Sequence, residues 1–311
     1  MTQTTETPLF SSDPRQVHWQ TIGMAVHDAT DSATAIRNAH LDWNVHQAPV
    51  RFFDGTQGRA LDSMRVNYRS DNGTALGVVS RRYAVVKNHE VFELADQIGE
   101  GLSYNFAGTM QGGRRVWLSA NLPETTIPGD KFNPNILFSN SHDGKRAVQI
   151  FVTPIRVACS NQLNLALRSA TRKWFFPHFG TVTKKMNDAK RTFQLTAQFM
   201  DELEWEAETL AVAKLGRNDL RQFIEKMFPI VDSDSERKTE RIKQEIERFH
   251  DCYIADDLDN FTGTKWGLLL AVSDFVTHKP LRTVRQREAH LSKMLEGHAL
   301  LDRAYSLILS L

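Results

Sequence analysis

Cysteine is scarce: the 311-residue chain has two, Cys159 and Cys252. Two thiols cannot build a disulfide framework or a thiolate zinc site, so a reducing compartment is the default reading. No apolar run approaches the roughly 18 residues needed to span a bilayer. The opening stretch MTQTTETPLFSSDPRQ lacks the basic and then apolar regions of a secretory signal. These absences exclude a membrane partner and point to the cytoplasm. The phosphate-binding patterns G-x-x-x-x-G-K-[ST] and G-x-G-x-x-G are also missing, and Gln111-Gly112-Gly113-Arg114 joins two strands instead of opening a helix. No internal repeat or low-complexity tract occurs. No His/Cys/Asp/Glu cluster has ligand spacing, so neither a metal nor a cofactor is expected.

The net charge of +1 hides opposed blocks. Residues 141–191 carry ten Lys/Arg against two Asp/Glu, and residues 192–260 carry nine against seventeen. Such segregation suits a localised basic surface, or two blocks that neutralise each other by packing.

Periodicity sets the expected elements. Thr30–His40 reads as a short helix capped by Thr30 or Asp31. Trp43–Val45 and Val50–Phe53 read as short strands, followed by a polar loop through Gly58. Met64–Arg69 and Ala75–Ser80 form a hairpin about Ser70-Asp71-Asn72-Gly73. Tyr83–Val86 is a strand, Asn88 a cap, and Val91, Phe92, Leu94, Ala95 and Ile98 the apolar face of a helix. Ser103–Met110 and Arg114–Asn121 pair across Gln111-Gly112-Gly113, and Pro123–Pro134 is an exposed loop. Ile136–Phe138 and Ala147–Val152 are joined by an Asp143-Gly144 turn, and Pro154 marks a strand end, bulge or sheet edge. Ser160 or Asn161 caps a helix bearing Arg168 and Arg172. Helices then fit Thr183–Leu215, Asn218–Phe228, Ser235–Phe249, Thr264–His278 and Arg285–Leu309. The expected fold class is α+β: a twisted antiparallel sheet with packed helices, followed by a helical C-terminal part. The domains run 15–228 for the α+β core and 235–311 for the helical subdomain, with the linker at Pro229–Ser235.

No residue set carries a strong catalytic signature, and no catalytic residue is assigned. His142-Asp143 is either an acid–base or metal-binding pair or a turn sequence with a neighbouring imidazole. Cys159, near a helix N-terminus, is a nucleophile only beside a positioned His, and is otherwise a packed thiol. Basic residues interleave with aromatics: Lys145, Arg146, Arg156, Arg168, Arg172 and Lys173 with Trp117 and Trp174. Cations that neutralise phosphates beside rings that stack bases suit a single-stranded nucleic acid. Arg156 lies inside the apolar run VTPIRVACSN, where a charge is paired or functional.

SNSHDGKRAVQIFVTPIRVACSNQL resembles the central motif of a phage/plasmid-like protein family catalogued as a domain of unknown function. The carried positions are His142, Asp143, Gly144, Pro154, Arg156, Cys159 and Asn161. YRSDNGTALGVVSRRYAVVKNHEVFELAD, AGTMQGGRRVWLSANL and GTKWGLLLAVSDFVTH are similar too, so the likeness spans roughly residues 15–300. Pro177-His178-Phe179 departs from it. The strand–strand–strand–helix order from Arg114 to Arg172 also looks like the core of Rad52-type single-strand annealing proteins, and Leu165-Ala-Leu-Arg-Ser169 is similar to their helix. These resemblances imply a phage-encoded protein of the host bacterial cytoplasm. The family likeness supplies no established activity; the basic block of residues 141–191 and the strand–helix order are what point to binding single-stranded DNA in recombination or replication as a homo-oligomer, with a host or phage protein as a further partner. Two other readings stand beside it. One is an enzyme acting on nucleotide or nucleic acid through His142, Asp143, Arg156 and Asn161. The other is a modulator that docks a host protein on the acidic helices of Asp201–Asp259.

Overall fold

Alternation within single strands decides the architecture. In β6 (Arg115–Asn121), Val116, Leu118 and Ala120 enter one buried cluster while Trp117 enters another. The same split separates Ile136 and Phe138 from Leu137 in β8 (Asp130–Ser141), and Ile150 from Phe151 in β9 (Val148–Arg156). A strand that buries both its odd and its even side chains lies in a sheet covered on both faces. The computed structural model describes residues 22–98, 102–127, 129–156, 173–179 and 189–311. It shows an α+β fold of antiparallel sheets with helices, most of them toward the C-terminal end.

The large sheet runs β1 (Met24–Ala25), β5 (Ser103–Met110), β6, β8, β9 and β10 (Lys173–Phe176), with β7 (Thr125–Ile127) also paired to β8. Every neighbouring pair in it is antiparallel. One face packs on α1 (Ser32–Asn38) and α2 (Asn88–Ile98) through Ile36, Val91, Phe92 and Ala95. Asp31 caps α1 by accepting from the Thr34 amide at 2.7 Å. Ser32 ties α1 to α2 by donating through its amide and its hydroxyl to Asp96, a carboxylate that also accepts from Tyr104 of β5. The other face meets α7 (Val284–Glu296) at Leu291.

A second sheet holds β2 (Val45–Asp54), β3 (Gln57–Arg69) and β4 (Ala75–Ser80). Beside α1 and α2, α3 (Ala189–Val212), α4 (Arg217–Met227), α5 (Glu236–Tyr253), α6 (Lys265–Thr277) and α8 (Ala299–Ser310) share a core that takes in Phe132 and Val152, which have the same strand parity as Ile136 and Ile150. That cluster has side chains from both sides of the 229–235 linker. α6 is its axis: Trp266 through Ser273 are all buried, as expected of a helix apolar on every side.

Several expected elements are corrected. The segment read as a loop through Gly58 is strand, because Gly55, with φ of 64°, opens a two-residue turn that joins β2 to β3 directly. Tyr83–Val86 is not a strand, although Tyr83 and Val86 are buried. The loop expected over Pro123–Pro134 contains β7 and the start of β8, with Ile127 and Phe132 buried. Pro154 sits within β9, opposite Pro134. Two facing prolines fit an antiparallel ladder at a non-hydrogen-bonded pair, where neither nitrogen is asked to donate to the other strand. The helix expected over Arg285–Leu309 breaks at Gly297, whose φ of 108° closes α7 before α8.

Candidate functional site

The His-Asp-Gly turn is where the two sheets meet. Asp143 Oδ1 accepts from Ser141 Oγ at 2.7 Å and from the Lys145 amide at 3.0 Å, which folds the turn on itself. Gly144 holds φ of 77°, and a Cβ there would lie 2.9 Å from Val79 of β4. Asn67 of β3 donates to the His142 carbonyl at 2.7 Å, and the Tyr83 hydroxyl donates to the Ser141 carbonyl at 2.6 Å. Burial and the nearby Asp143 charge raise the Tyr83 pKa.

Behind the turn the His142 ring is wholly buried, edge-on to Trp43 with centroids 5.4 Å apart. Asn88 Nδ2 donates to the Leu41 carbonyl at 2.9 Å, so its oxygen faces His142 Nε2, also at 2.9 Å. That assigns the proton to Nε2 and leaves Nδ1 a bare acceptor. Burial first, then the nearby His178, brings the His142 pKa down to about 3, against an opposing pull from Asp143. His178 is buried and stacked on Tyr83 at 4.5 Å, and its Nδ1–H donates to the Ala84 carbonyl at 3.1 Å. His142 Nδ1, His178 Nε2 and Asn140 Oδ1 have no hydrogen-bond partner among the described residues. The Asp143 oxygens are engaged by Ser141 and Lys145, and the His142 nitrogens do not meet them. An acid–base couple is therefore not assembled here, and among the described residues no group of three or more His, Cys, Asp or Glu could hold a metal.

A second polar centre lies on the opposite face of the large sheet. Arg115 is buried; its Nε donates to Ser139 Oγ at 2.7 Å, Nη2 to Gln149 Oε1 at 3.0 Å and Nη1 to Ser292 Oγ at 3.3 Å. Glu296, at the end of α7, comes within 3.5 Å of Arg115 and 2.5 Å of Arg146 Nε, and its carbonyl accepts from Lys173 Nζ at 2.6 Å. Desolvation, then repulsion from Arg146, lowers the Arg115 pKa to about 10.

The third feature is the outer half of the β2–β3 hairpin. The register slips between Pro49 and Val50, so that Pro49 faces Arg65 while Val50 faces Leu61. β4 pairs with β3 over Met64–Tyr68, which leaves Val50–Leu61 a two-stranded ribbon. Every residue from 51 to 63 is exposed. Cross-strand pairing puts Phe52 and Arg59 on one face and Arg51, Phe53 and Gly58 on the other. Phe53 is 75% exposed and Phe52 48%, while Arg51 has no ion pair among the described residues.

The expected site residues scatter over these features. Trp117 is fully buried against Gly23 and Gly108. It has no free face for a base, so the stacking role expected of it is withdrawn. Trp174 is half-buried between two apolar clusters. Arg146 and Lys173 are held by Glu296, and Lys145 is exposed with its ammonium 3.9 Å from Asp143. Arg156 is the last residue of β9. Arg168, Arg172, Cys159 and Asn161 lie outside the described residues. The ribbon was not singled out in the sequence, although the doublet Phe52-Phe53 after Arg51 offered a signal: a strand that exposes both parities has no core to serve.

Fold and surfaces together define an α+β protein with no helix among the described residues long and apolar enough to cross a membrane. The chain belongs to the DUF932 family, a domain of unknown function, whose model matches residues 75–295. No curated protein and no solved structure matches the chain.

Proposed function

We propose that the chain is a nucleic-acid-binding protein that engages single-stranded DNA through the β2–β3 ribbon. The observation that carries this reading is the exposure of Phe52 and Phe53 beside Arg51, which has no ion pair among the described residues, and Arg59, held only at 3.9 Å by the exposed Asp54, on an arm that packs on no core. Rings of this kind stack unpaired bases, at about 1–3 kcal/mol per base, and guanidinium groups neutralise the phosphates between them. Of the six cations first expected to serve, Arg146 is paired with the Glu296 carboxylate and Lys173 donates to the Glu296 carbonyl, which favours the ribbon as the contact surface. The resemblance in sequence order to Rad52-type annealing proteins, whose helix falls here on residues outside the described ones, lends this reading its direction. With a phage or plasmid origin, that likeness favours a role in recombination or replication and assembly into a homo-oligomer.

Fluorescence anisotropy with labelled single- and double-stranded oligonucleotides over a salt series tests the reading. The expected result is tighter binding of the single strand, weakening as salt rises. The Phe52→Ala/Phe53→Ala double variant should bind about tenfold or more weakly. No binding at low salt, or a double variant that binds like the parent, would overturn it.

A further inference from the structure

We infer a second ligand site, for a small organic anion, in the partly open cavity of about 350 Å³ that α4, α5, α6 and α8 leave between them. It lies on different elements from the ribbon and goes beyond the nucleic-acid reading. Its apolar lining includes Phe228 and Phe275, a pair of rings set edge to face with centroids 5.6 Å apart. Arg248 is fixed over Phe275, 3.6 Å from the ring centroid, by donating to the Phe275 carbonyl at 2.8 Å and to Glu245 at 3.1 Å. Its Nε is buried with no hydrogen-bond partner among the described residues.

Arg241 and Lys279 stand on the rim, exposed and without an ion pair among the described residues. With Arg248 they set three permanent cations against one carboxylate, Glu245. His298 precedes the first residue of α8, makes no side-chain cap to that helix, and keeps its buried Nδ1 without a partner among the described residues. His298 and Leu300 place the start of a twelve-residue helix beside the cavity, where the positive end of its dipole adds to the preference for an anion and Asp302 of the same first turn acts against it. Surplus positive charge selects an anionic head, and the phenylalanine lining selects an apolar or aromatic body. The volume falls in the range of about 300–1,000 Å³ common to small-molecule sites. The ligand is thus a phosphate or carboxylate carried on an organic body no larger than a mononucleotide.

Isothermal titration calorimetry of the full chain with adenosine 5′-monophosphate, octanoate and inorganic phosphate tests the site and separates the two sources of the head group. Saturable binding of either organic anion, weakened about tenfold by Arg241→Ala and by Lys279→Ala, is the expected result. Adenosine monophosphate alone would assign a phosphate ligand, and octanoate alone a carboxylate. Both variants change exposed side chains, so folding is not at stake. The Phe52→Ala/Phe53→Ala variant should bind these anions like the parent, which keeps this outcome independent of the ribbon. No binding of either organic anion, inorganic phosphate binding as tightly as both, or rim variants indistinguishable from the parent would overturn the inference.

Discussion

Gly77 of β4 lies directly against Asp143: a Cβ on Gly77 would come within 2.6 Å of the Asp143 Cα and 3.0 Å of its carbonyl oxygen. Backbone cannot yield as a flexible side chain can, so the small sheet seats on the turn only because position 77 has no side chain. Gly77→Ala is expected to lower stability by about 1–3 kcal/mol, the usual cost of overpacking. Urea denaturation of parent and variant measures it; a variant within about 0.5 kcal/mol of the parent would mean the sheets are not in contact there.

Glu296 gathers Arg115, Arg146 and Lys173 from three places in the chain. The pair with Arg146 is partly exposed, which limits its worth, whereas Arg115 is buried and loses a neutralising charge when Glu296 is removed. Glu296→Gln should therefore cost about 1–2 kcal/mol. In a double-mutant cycle with Arg146→Ala, the coupling should come out favourable. The same variant separates two surfaces. If DNA binds the ribbon, its affinity is unchanged; a rise of about tenfold or more would return the contact to the large sheet, with α7 as its cover.

Local pattern carried the parts of the fold that depend on neighbours in sequence. The Gln111–Gly113 connection between β5 and β6 and a helix beginning about Thr264 were both legible. Features decided by distant partners were not. The period of Arg285–Leu309 hides the break at Gly297, since one glycine interrupts a stripe without changing its phase. Thr125–Ile127 looks like loop because prolines surround it, yet it pairs with Asp130–Phe132. Asn88, expected as a helix cap, donates through Nδ2 to the Leu41 carbonyl and accepts through Oδ1 from His142 Nε2, and Glu90 accepts from the Lys87 amide instead. Arg146 reads as a free cation until the fold brings Glu296 to it across 150 positions. Charge runs show where ions lie along the chain, and pairing over long separations decides which of them remain open.

Cys252 is the cysteine that lies among the described residues, and burial, followed by the adjacent Asp274, pushes its thiol up to about 12. A thiol so placed stays protonated and is a poor nucleophile near neutral pH. Alkylation with iodoacetamide at pH 8, read at the Cys252 peptide by mass spectrometry, should be slow in the folded protein. It should become fast in urea, and equal rates in the two states would contradict the burial.

The buried imidazoles make stability depend on pH with a definite sign. His142 falls from the ordinary 6.5 to about 3 on folding, and His178 is lowered by burial as well. Between those values the unfolded chain holds protons that the folded chain excludes, so stability rises with pH across the window. It is fully present above about 6.5 and declines as the pH is lowered toward 3, each histidine contributing a slope of up to about 1.4 kcal/mol per pH unit. Asp143 acts against this, since its charge favours the imidazolium, but desolvation is the larger effect on His142. Replacement by Gln preserves a donor toward Asn88 while removing the titration, so His142→Gln should be less stable at pH 7 yet flatter in its pH dependence. Denaturation midpoints at pH 7, 6 and 5 decide it. Parallel profiles for parent and variant would show that His142 takes up its proton equally in both states, which its enclosure by Trp43, Asn88 and the turn does not allow.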